Sequence, residues 1–179
     1  MERTDREIVK LVLAGKIGMY AVLVQRYHRQ IFNLMYRYSH EDQDAADLTQ
    51  DVFLRAYEQL GNYQPDRSFF PWLYSLAINR ATDWCRWRTV RRNKHHLITP
   101  EKPDSFSHTE QEQLLENREQ AEQLQAALCR LPDATREILL LRYKEELSIS
   151  EVAHAFRLSE SAAKMRISRG LKDLRKLME

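Results

Sequence analysis

The chain has 179 residues, a length that fits one domain or two small ones. Its 28 basic and 26 acidic side chains leave a formal net charge of +2, and 43% of its residues are hydrophobic, which excludes wholesale disorder. Only 4 Gly and 5 Pro are present, which favours helices and argues against sandwiches, barrels and glycine-rich phosphate loops. We therefore expect an all-α protein.

The sequence shows no feature typical of export, membrane insertion or metal binding. The longest uncharged apolar stretch, residues 19–24, is far shorter than the roughly 18 residues of a membrane span. The N-terminus is charged and unlike a secretory signal. Cys85 and Cys129 have no Cys or His neighbours at metal-ligand spacing. We expect a cytoplasmic protein with no membrane insertion, metal, disulfide or cofactor.

Charge is distributed unevenly along the chain. The net charge is +4 over residues 1–95, −4 over 96–121 and +2 over 122–179. Basic residues cluster near the end of each outer segment: Arg80, Arg86, Arg88, Arg91, Arg92 and Lys94 in the first, and Lys164, Arg166, Arg169, Lys172, Arg175 and Lys176 in the last. Two basic patches that flank an acidic connector favour a polyanionic partner.

The first half of the chain predicts three helices. Apolar residues three to four apart predict a helix over about 21–38 and another over about 43–60, before a turn at 61–67 that contains Pro65. A third helix, with Pro71 in its first turn, follows and runs to about Val90. The expected buried stripes are Leu48, Val52, Ala56 and Leu60 on the second helix, and Leu73, Ala77, Ala81 and Trp84 on the third. The opposite face of the third helix, expected to point outward, carries Ser75, Asn79, Thr82 and Arg86.

Residues 94–112 are predicted to form a flexible linker between a domain at 1–93 and a domain at 113–179, since they contain Pro100, Pro103 and several Ser without a helical period. A capping box at Thr109 and Glu112 is expected to open the next helix.

The last part of the chain predicts a helix-turn-helix over about 149–168. A helix over about 133–144 is followed by a capping box at Ser148 and Glu151, a short helix ending near Phe156, and a third helix capped by Ser159. The inner face of this third helix is expected to be Ala163, Ile167, Leu171, Leu174 and Met178, and its outer face Ser161, Met165, Ser168, Arg169, Lys172 and Lys176, with Lys164 and Arg166 on the flanks. Such an outer face suits the major groove of DNA.

Four acidic residues leave an enzymatic alternative open. Asp42, Asp44, Asp47 and Asp51 are close enough in a helix to suggest a metal-dependent phosphoryl-transfer site. However, no nucleophile, histidine partner or phosphate loop accompanies them, and acidic residues at a helix start are normally a solvated cap. We therefore expect no catalytic residue.

Three motifs, in order along nearly the whole chain, resemble the extracytoplasmic-function group of bacterial RNA polymerase sigma factors. The first is DLTQDVFLRAY at 47–57, which is similar to the family pattern DLxQEVFLRAY, and the second is FFPWLYSLAIN at 69–79. The third combines Leu131-Pro132 with REILLLRY at 136–143, LSISEVA at 147–153 and KMRISRGLKDL at 164–174. The resemblance implies a protein that binds core RNA polymerase, directs it to specific promoters and assists melting at the minus-ten element.

The resemblance also implies partners and contact residues. Residues 1–93 correspond to sigma region 2 and 113–179 to sigma region 4, which would bind promoter DNA and the clamp helices and flap of the polymerase. An anti-sigma factor is an implied partner, and the free chain is expected to be monomeric. The implied polymerase contacts are Asp47, Gln50, Asp51, Phe53, Leu54, Arg55 and Glu58.

The implied DNA contacts fall in two sets. The minus-ten set is Asn62, Tyr63, Asp66, Ser68, Phe69, Trp72, Ser75, Asn79 and Arg86; the minus-35 set is Ser161, Lys164, Met165, Arg166, Ser168, Arg169 and Lys172. The chain departs from the family pattern in the 61–68 loop, which would capture a flipped base, and at Met165, where a small polar residue is common. A helix-turn-helix regulator that does not engage polymerase is the remaining alternative, against which the intact 47–60 motif argues.

Overall fold

The computed structural model describes residues 3–94 and 115–179, with side chains at 3–89 and 121–179, and its regular elements there are all helical. The helices are α1 Asp5–Leu13, α2 Tyr20–Ser39, α3 Asp42–Glu58, α4 Phe69–Lys94, α5 Leu115–Arg130, α6 Asp133–Tyr143, α7 Ile149–Ala155 and α8 Glu160–Met178. The chain divides into two compact units, Met1–Asp104 and Ser105–Glu179. The prediction of an all-α fold with two helical domains is confirmed.

The core of the first unit lies between α2, α3 and α4, each of which packs against the other two. The stripe predicted on α3, together with Leu60 just after it, is buried, as is the stripe predicted on α4. Leu23, Ile31 and Leu34 of α2 complete the core. Because each helix carries its apolar side chains at helical spacing, the three apolar stripes face one another and form a common core.

Helix α1 was not predicted from the sequence, although its capping box is legible there. The Thr4 hydroxyl accepts from the Glu7 backbone amide, and the Glu7 carboxylate accepts from the Thr4 amide at 2.9 Å, which lowers the pKa of Glu7. The apolar face of α1 is buried, and its Asp5 carboxylate accepts hydrogen bonds from Arg26 and Tyr27 of α2. Helix α1 is therefore part of the first unit's core.

Helix α4 extends beyond its predicted C-terminal end, which was near Val90. The helix begins at Phe69, so Pro71 lies in its first turn as predicted, where a residue needs no amide hydrogen bond within the helix. It runs through Lys94, the residue at which the linker was predicted to begin. The rest of that linker lies outside the described residues up to residue 112, as does the Thr109 and Glu112 capping box.

In the second unit, α8 packs against α5, α6 and α7. The predicted caps are present: Ser148 and Glu151 form a capping box, and the Ser159 hydroxyl accepts from the Ala162 amide at 3.2 Å. The turn between α7 and α8 lacks glycine, and Arg157 adopts a left-handed backbone with φ of 53° instead. These features produce the predicted pair of short-linked helices.

Candidate functional site

One face of α3 carries most of the residues expected to contact a polymerase. Asp47, Gln50, Leu54 and Glu58 are exposed and lie three to four residues apart, so they share one side of the helix. Arg55, next to Leu54, is exposed at the edge of that side. Leu54 is 56% exposed, which is unusual for a leucine on a helix whose opposite face is buried. An apolar side chain among polar ones at the centre of a helix face is suited to binding another protein.

Two members of the expected polymerase-binding set are engaged inside the first unit. Phe53 is buried, and its backbone carbonyl accepts a hydrogen bond from the Tyr20 hydroxyl at 2.6 Å, so this expected contact is corrected to a core residue. The Asp51 carboxylate is paired with Arg80 of α4 and, at 3.2 Å, with Arg55. Asp51 therefore joins α3 to α4.

A groove of about 480 Å³ opens beside this face, between α3 and α4. Its lining is acidic and aromatic with two arginines: Asp44, Asp47, Leu48, Arg55, Arg80, Asp83, Trp84 and Trp87. Trp84 is buried as predicted, whereas Trp87 is 54% exposed.

The loop at 61–68 rests on an aromatic cluster of Tyr63, Phe69 and Trp72, whose ring centroids lie 5.4 to 5.5 Å apart. Burial raises the pKa of Tyr63, and its hydroxyl donates to the Arg67 carbonyl oxygen within the loop. Tyr63 and Phe69 are buried, so their expected DNA contacts are corrected to a role in supporting the loop. The physical reason is that the aromatic rings gain more from packing together than from exposure to water.

Ser75 is also buried, contrary to the prediction that it points outward. Its hydroxyl donates to the Trp72 carbonyl oxygen at 2.7 Å, so its hydrogen-bonding capacity is used within α4. The other predicted minus-ten contacts, Asn62, Asp66, Ser68, Asn79 and Arg86, are exposed, while Trp72 is half-buried. Asp66 is also 3.4 Å from Arg6 of α1, a link between α1 and the loop that motif analysis missed.

The first of the two basic clusters exposes fewer cations than its composition indicated. Arg80 is paired with Asp51, and Arg88 donates to the Ser39 carbonyl oxygen at 3.1 Å while its guanidinium lies 4.9 Å from the Trp84 ring centroid. These two cations hold helices together. Arg86 is exposed beside Asp83, and the side chains of Arg91, Arg92 and Lys94 lie outside the described residues.

The second basic cluster is displayed on the surface of α8. Ser161, Lys164, Met165, Arg166, Ser168, Arg169 and Lys172 are all exposed, as are Arg175 and Lys176. The opposite face is closed by Ala163, Ile167 and Gly170, which are buried. Met178, expected on the inner face, is instead 48% exposed, because it lies at the last turn of the helix.

The described residues include neither a cluster of metal ligands nor a helix that could span a membrane. Among the described side chains, at 3–89 and 121–179, no three of His, Cys, Asp or Glu come together as a set of metal ligands. None of the helices described has the length and apolarity needed to cross a bilayer.

Two family models match the chain, one in each unit. The model for Sigma-70 region 2 matches residues 23–92, and the model for Sigma-70 region 4 matches residues 121–174. The matched residues include α3, the 61–68 loop and most of α4 in the first unit, and all of α6 and α7 in the second.

Curated relatives match over most of their length. The RNA polymerase sigma-H factor of Pseudomonas aeruginosa is 29% identical over 99% of this chain and 95% of its own. The RNA polymerase sigma factor YlaC of Bacillus subtilis is 30% identical over 87% of this chain and 90% of its own, and the ECF RNA polymerase sigma factor SigW of the same organism is 27% identical over 98% and 97%.

Two solved structures share the fold. CnrH, in complex with the cytosolic domain of CnrY, superposes with a TM-score of 0.69 at 23% identity, covering 97% of this chain and 96% of that one. The sigma factor RpoE, in complex with the anti-sigma factor NepR from Bartonella quintana, gives 0.72 at 19% identity, covering 89% and 96%. With both sigma regions matched in order, the chain belongs to the extracytoplasmic-function group of the sigma-70 family of RNA polymerase sigma factors.

Proposed function

We propose that this chain binds core RNA polymerase in the bacterial cytoplasm, directs it to specific promoters and assists melting at the minus-ten element. The chain acts by binding alone and carries no catalytic group. Residues 1–93 serve as region 2, residues 94–112 as the linker and residues 113–179 as region 4. The observation that carries the proposal is the exposed face of α8, in a chain that also matches region 2.

The two faces of α8 support promoter recognition by the second unit. The buried face fixes the helix against α5, α6 and α7, and the exposed face presents cations and hydroxyls of the kind that contact phosphates and base edges. The first half of α8 enters the major groove of the minus-35 element, as recognition helices do. Each phosphate that Lys or Arg neutralises releases counterions, so affinity falls steeply with salt.

Melting at the minus-ten element is assigned to the first unit. Unstacking one base costs a few kcal/mol, which a fitted pocket and stacking partners offset. The 61–68 loop is held by the Tyr63, Phe69 and Trp72 cluster, which supports a role as the pocket. Asn79 and Arg86 lie exposed further along α4, where they contact the element upstream.

Polymerase binding is assigned to the exposed face of α3, with Asp47, Gln50, Leu54, Arg55 and Glu58 as contacts to the clamp helices of the large subunit. The second unit binds the polymerase flap. The two solved relatives were captured with CnrY and with the anti-sigma factor NepR, so we extend the proposal to an anti-sigma factor that competes with polymerase for this chain.

The proposal is tested by run-off transcription from a pool of promoter fragments with purified core polymerase. Initiation is expected only when the chain is added, and it should fall in Asn79→Ala and Arg169→Ala variants. Lys144→Ala is the matched control for Arg169→Ala, because Lys144 is exposed at the end of α6, outside α8.

Polymerase binding is tested separately by co-purification with core polymerase. Leu54→Ala should weaken polymerase binding. Leu13→Ala is the matched control, since Leu13 is also 56% exposed but lies at the end of α1, away from the α3 face, and its replacement should not weaken binding. A chain that binds duplex DNA without directing initiation contradicts the polymerase assignment and favours the operator-binding alternative. The anti-sigma proposal is tested by purifying the chain from cells together with its bound proteins. If none of the recovered proteins reduces binding of the chain to polymerase, the anti-sigma proposal is contradicted.

A further inference from the structure

An apolar side chain stands in the middle of the basic face of α8. Met165 is 56% exposed, more than any other large hydrophobic residue described in the second unit. Its neighbours in sequence, Lys164 and Arg166, are exposed cations, and Ser168 and Arg169 on the next turn are exposed as well. An exposed methionine is not unusual by itself, but its placement among groups that bind polyanions is distinctive.

The packing of α8 determines which way Met165 points. Gly170 is buried so closely against α6 that an added Cβ would lie 2.7 Å from Thr135 Cγ2. At about 100° per residue, Met165 lies within roughly 40° of the direction opposite Gly170. Ser161, Ser168 and Lys172 share that direction. Met165 therefore lies near the centre of the outer face.

Met165 also lies in the part of α8 that reaches base edges. It is the sixth residue of a helix that starts at Glu160, and the N-terminal half of a recognition helix is the half nearest the bases. Side chains on a helix lean toward its N-terminus, which carries the thioether further in that direction.

The chemistry of the major groove leaves few partners for such a side chain. Base edges present hydrogen-bond donors and acceptors, and one apolar group, the C5 methyl of thymine. A methionine set against a donor or acceptor would remove it from water without replacing the lost hydrogen bond. Contact between the methionine side chain and the thymine methyl displaces water from neither a donor nor an acceptor, so no hydrogen bond is lost. The unbranched, flexible methionine side chain also adapts to the position of the methyl.

We propose that Met165 determines sequence specificity by contacting the C5 methyl group of a thymine in the element bound by α8. This inference rests on the proposed function. It assigns a base and an atom to one residue, and it requires thymine at a single position of the minus-35 element.

The test begins with the element that the holoenzyme selects from a random minus-35 pool. Each thymidine in it is then replaced by deoxyuridine, which removes only the methyl group. At one position the change should weaken binding of the wild-type holoenzyme about fourfold, the ratio that burial of one methyl-sized group corresponds to. Met165→Leu should retain this sensitivity, because it keeps an apolar side chain.

The decisive variant is Met165→Gln, which keeps the length of the side chain and adds polarity. It should lose the fourfold effect of deoxyuridine while the effects of changes elsewhere in the element remain. Met178→Gln is the matched control, because Met178 is 48% exposed on the last turn of the same helix. Thermal unfolding by circular dichroism verifies that each variant is folded.

Two results overturn the proposal. Either no deoxyuridine substitution weakens binding, or the sensitive position is equally sensitive in Met165→Gln. Neither result contradicts the proposed function, because the holoenzyme can still initiate at specific promoters in both cases. A holoenzyme that selects no minus-35 element at all contradicts the proposed function itself.

Discussion

Replacing Gly170 by alanine tests how closely α8 packs against α6. The new Cβ would lie 2.7 Å from Thr135 Cγ2 and 3.3 Å from Leu139 Cδ1, and the first distance is shorter than real Cβ contacts allow. The Thr135 side chain or one of the two helices must therefore shift, and a shift of α8 moves its outer face. Gly170→Ala should lower the stability of the second unit and its affinity for promoter DNA.

The size of the effect follows from two opposing contributions. Overpacking a well-packed site costs about 1–3 kcal/mol, and replacing glycine by alanine within a helix contributes about 1 kcal/mol of stability. The expected net loss is about 1 kcal/mol. Thr135→Ser removes the methyl group that the new Cβ meets, so the same glycine replacement should cost less in that background.

Urea unfolding separates the two units because all three tryptophans, Trp72, Trp84 and Trp87, lie in the first. Gly170→Ala should lower the midpoint followed by circular dichroism by about 0.5–1 M and leave the transition followed by tryptophan fluorescence unchanged. Gly18→Ala is the control: it meets no heavy atom within 4 Å and should stabilise the first unit by about 0.4–1 kcal/mol. An unchanged or raised circular-dichroism midpoint in Gly170→Ala, or an equal loss in the Thr135→Ser background, would refute the close approach.

Four further changes have defined outcomes. Asp51→Ala leaves the partly buried Arg80 without its carboxylate and should cost about 1 kcal/mol in urea unfolding, whereas an unchanged midpoint would contradict the ion pair. Burial and a hydrogen bond to the Asp5 carboxylate raise the pKa of Tyr27, so its contribution to stability is complete below about pH 10, the ordinary pKa of tyrosine, and is lost progressively as the pH rises toward the raised pKa of the folded state. Tyr27→Phe should therefore make the unfolding free energy fall less steeply above about pH 10. Lys164→Ala should reduce the slope of log affinity against log salt by about 1 without changing the preferred sequence, which equilibrium binding at several salt concentrations measures. Arg157→Gly relieves the left-handed backbone and should raise stability by about 0.5–1 kcal/mol, with a lower melting temperature as the contrary result.

Local patterns in the sequence were sufficient for the helices and for the second unit's surface. The cap at Ser148 and Glu151 and the cap at Ser159 were legible because capping involves residues only three positions apart. The outer face of α8 was also predictable, because a single helix with one apolar stripe has one side left for solvent. Helix α1 carries the same kind of capping signal at Thr4 and Glu7 and could have been found in the same way.

Tertiary packing decided which residues of the first unit remain available to a partner. Tyr63 and Phe69 are aromatic residues in a segment that was predicted to bind DNA. No local sequence pattern indicates that their rings pack together beneath the loop. Both rings contact Trp72, and the Phe69 ring also lies 5.8 Å from the ring of Tyr27 in α2, a contact between residues far apart in sequence.

The same holds for the charges. Composition and motifs determined that the chain is helical, has two domains and carries basic clusters near the ends of both. The ion pair of Asp51 with Arg80 joins residues 29 apart, and the hydrogen bond from Arg88 to the Ser39 carbonyl joins residues 49 apart. Helical periodicity defines a face within one helix, but the partner of a charged side chain depends on which helices meet. Only the tertiary structure therefore separates the cations that hold the first unit together from those of α8 that remain exposed.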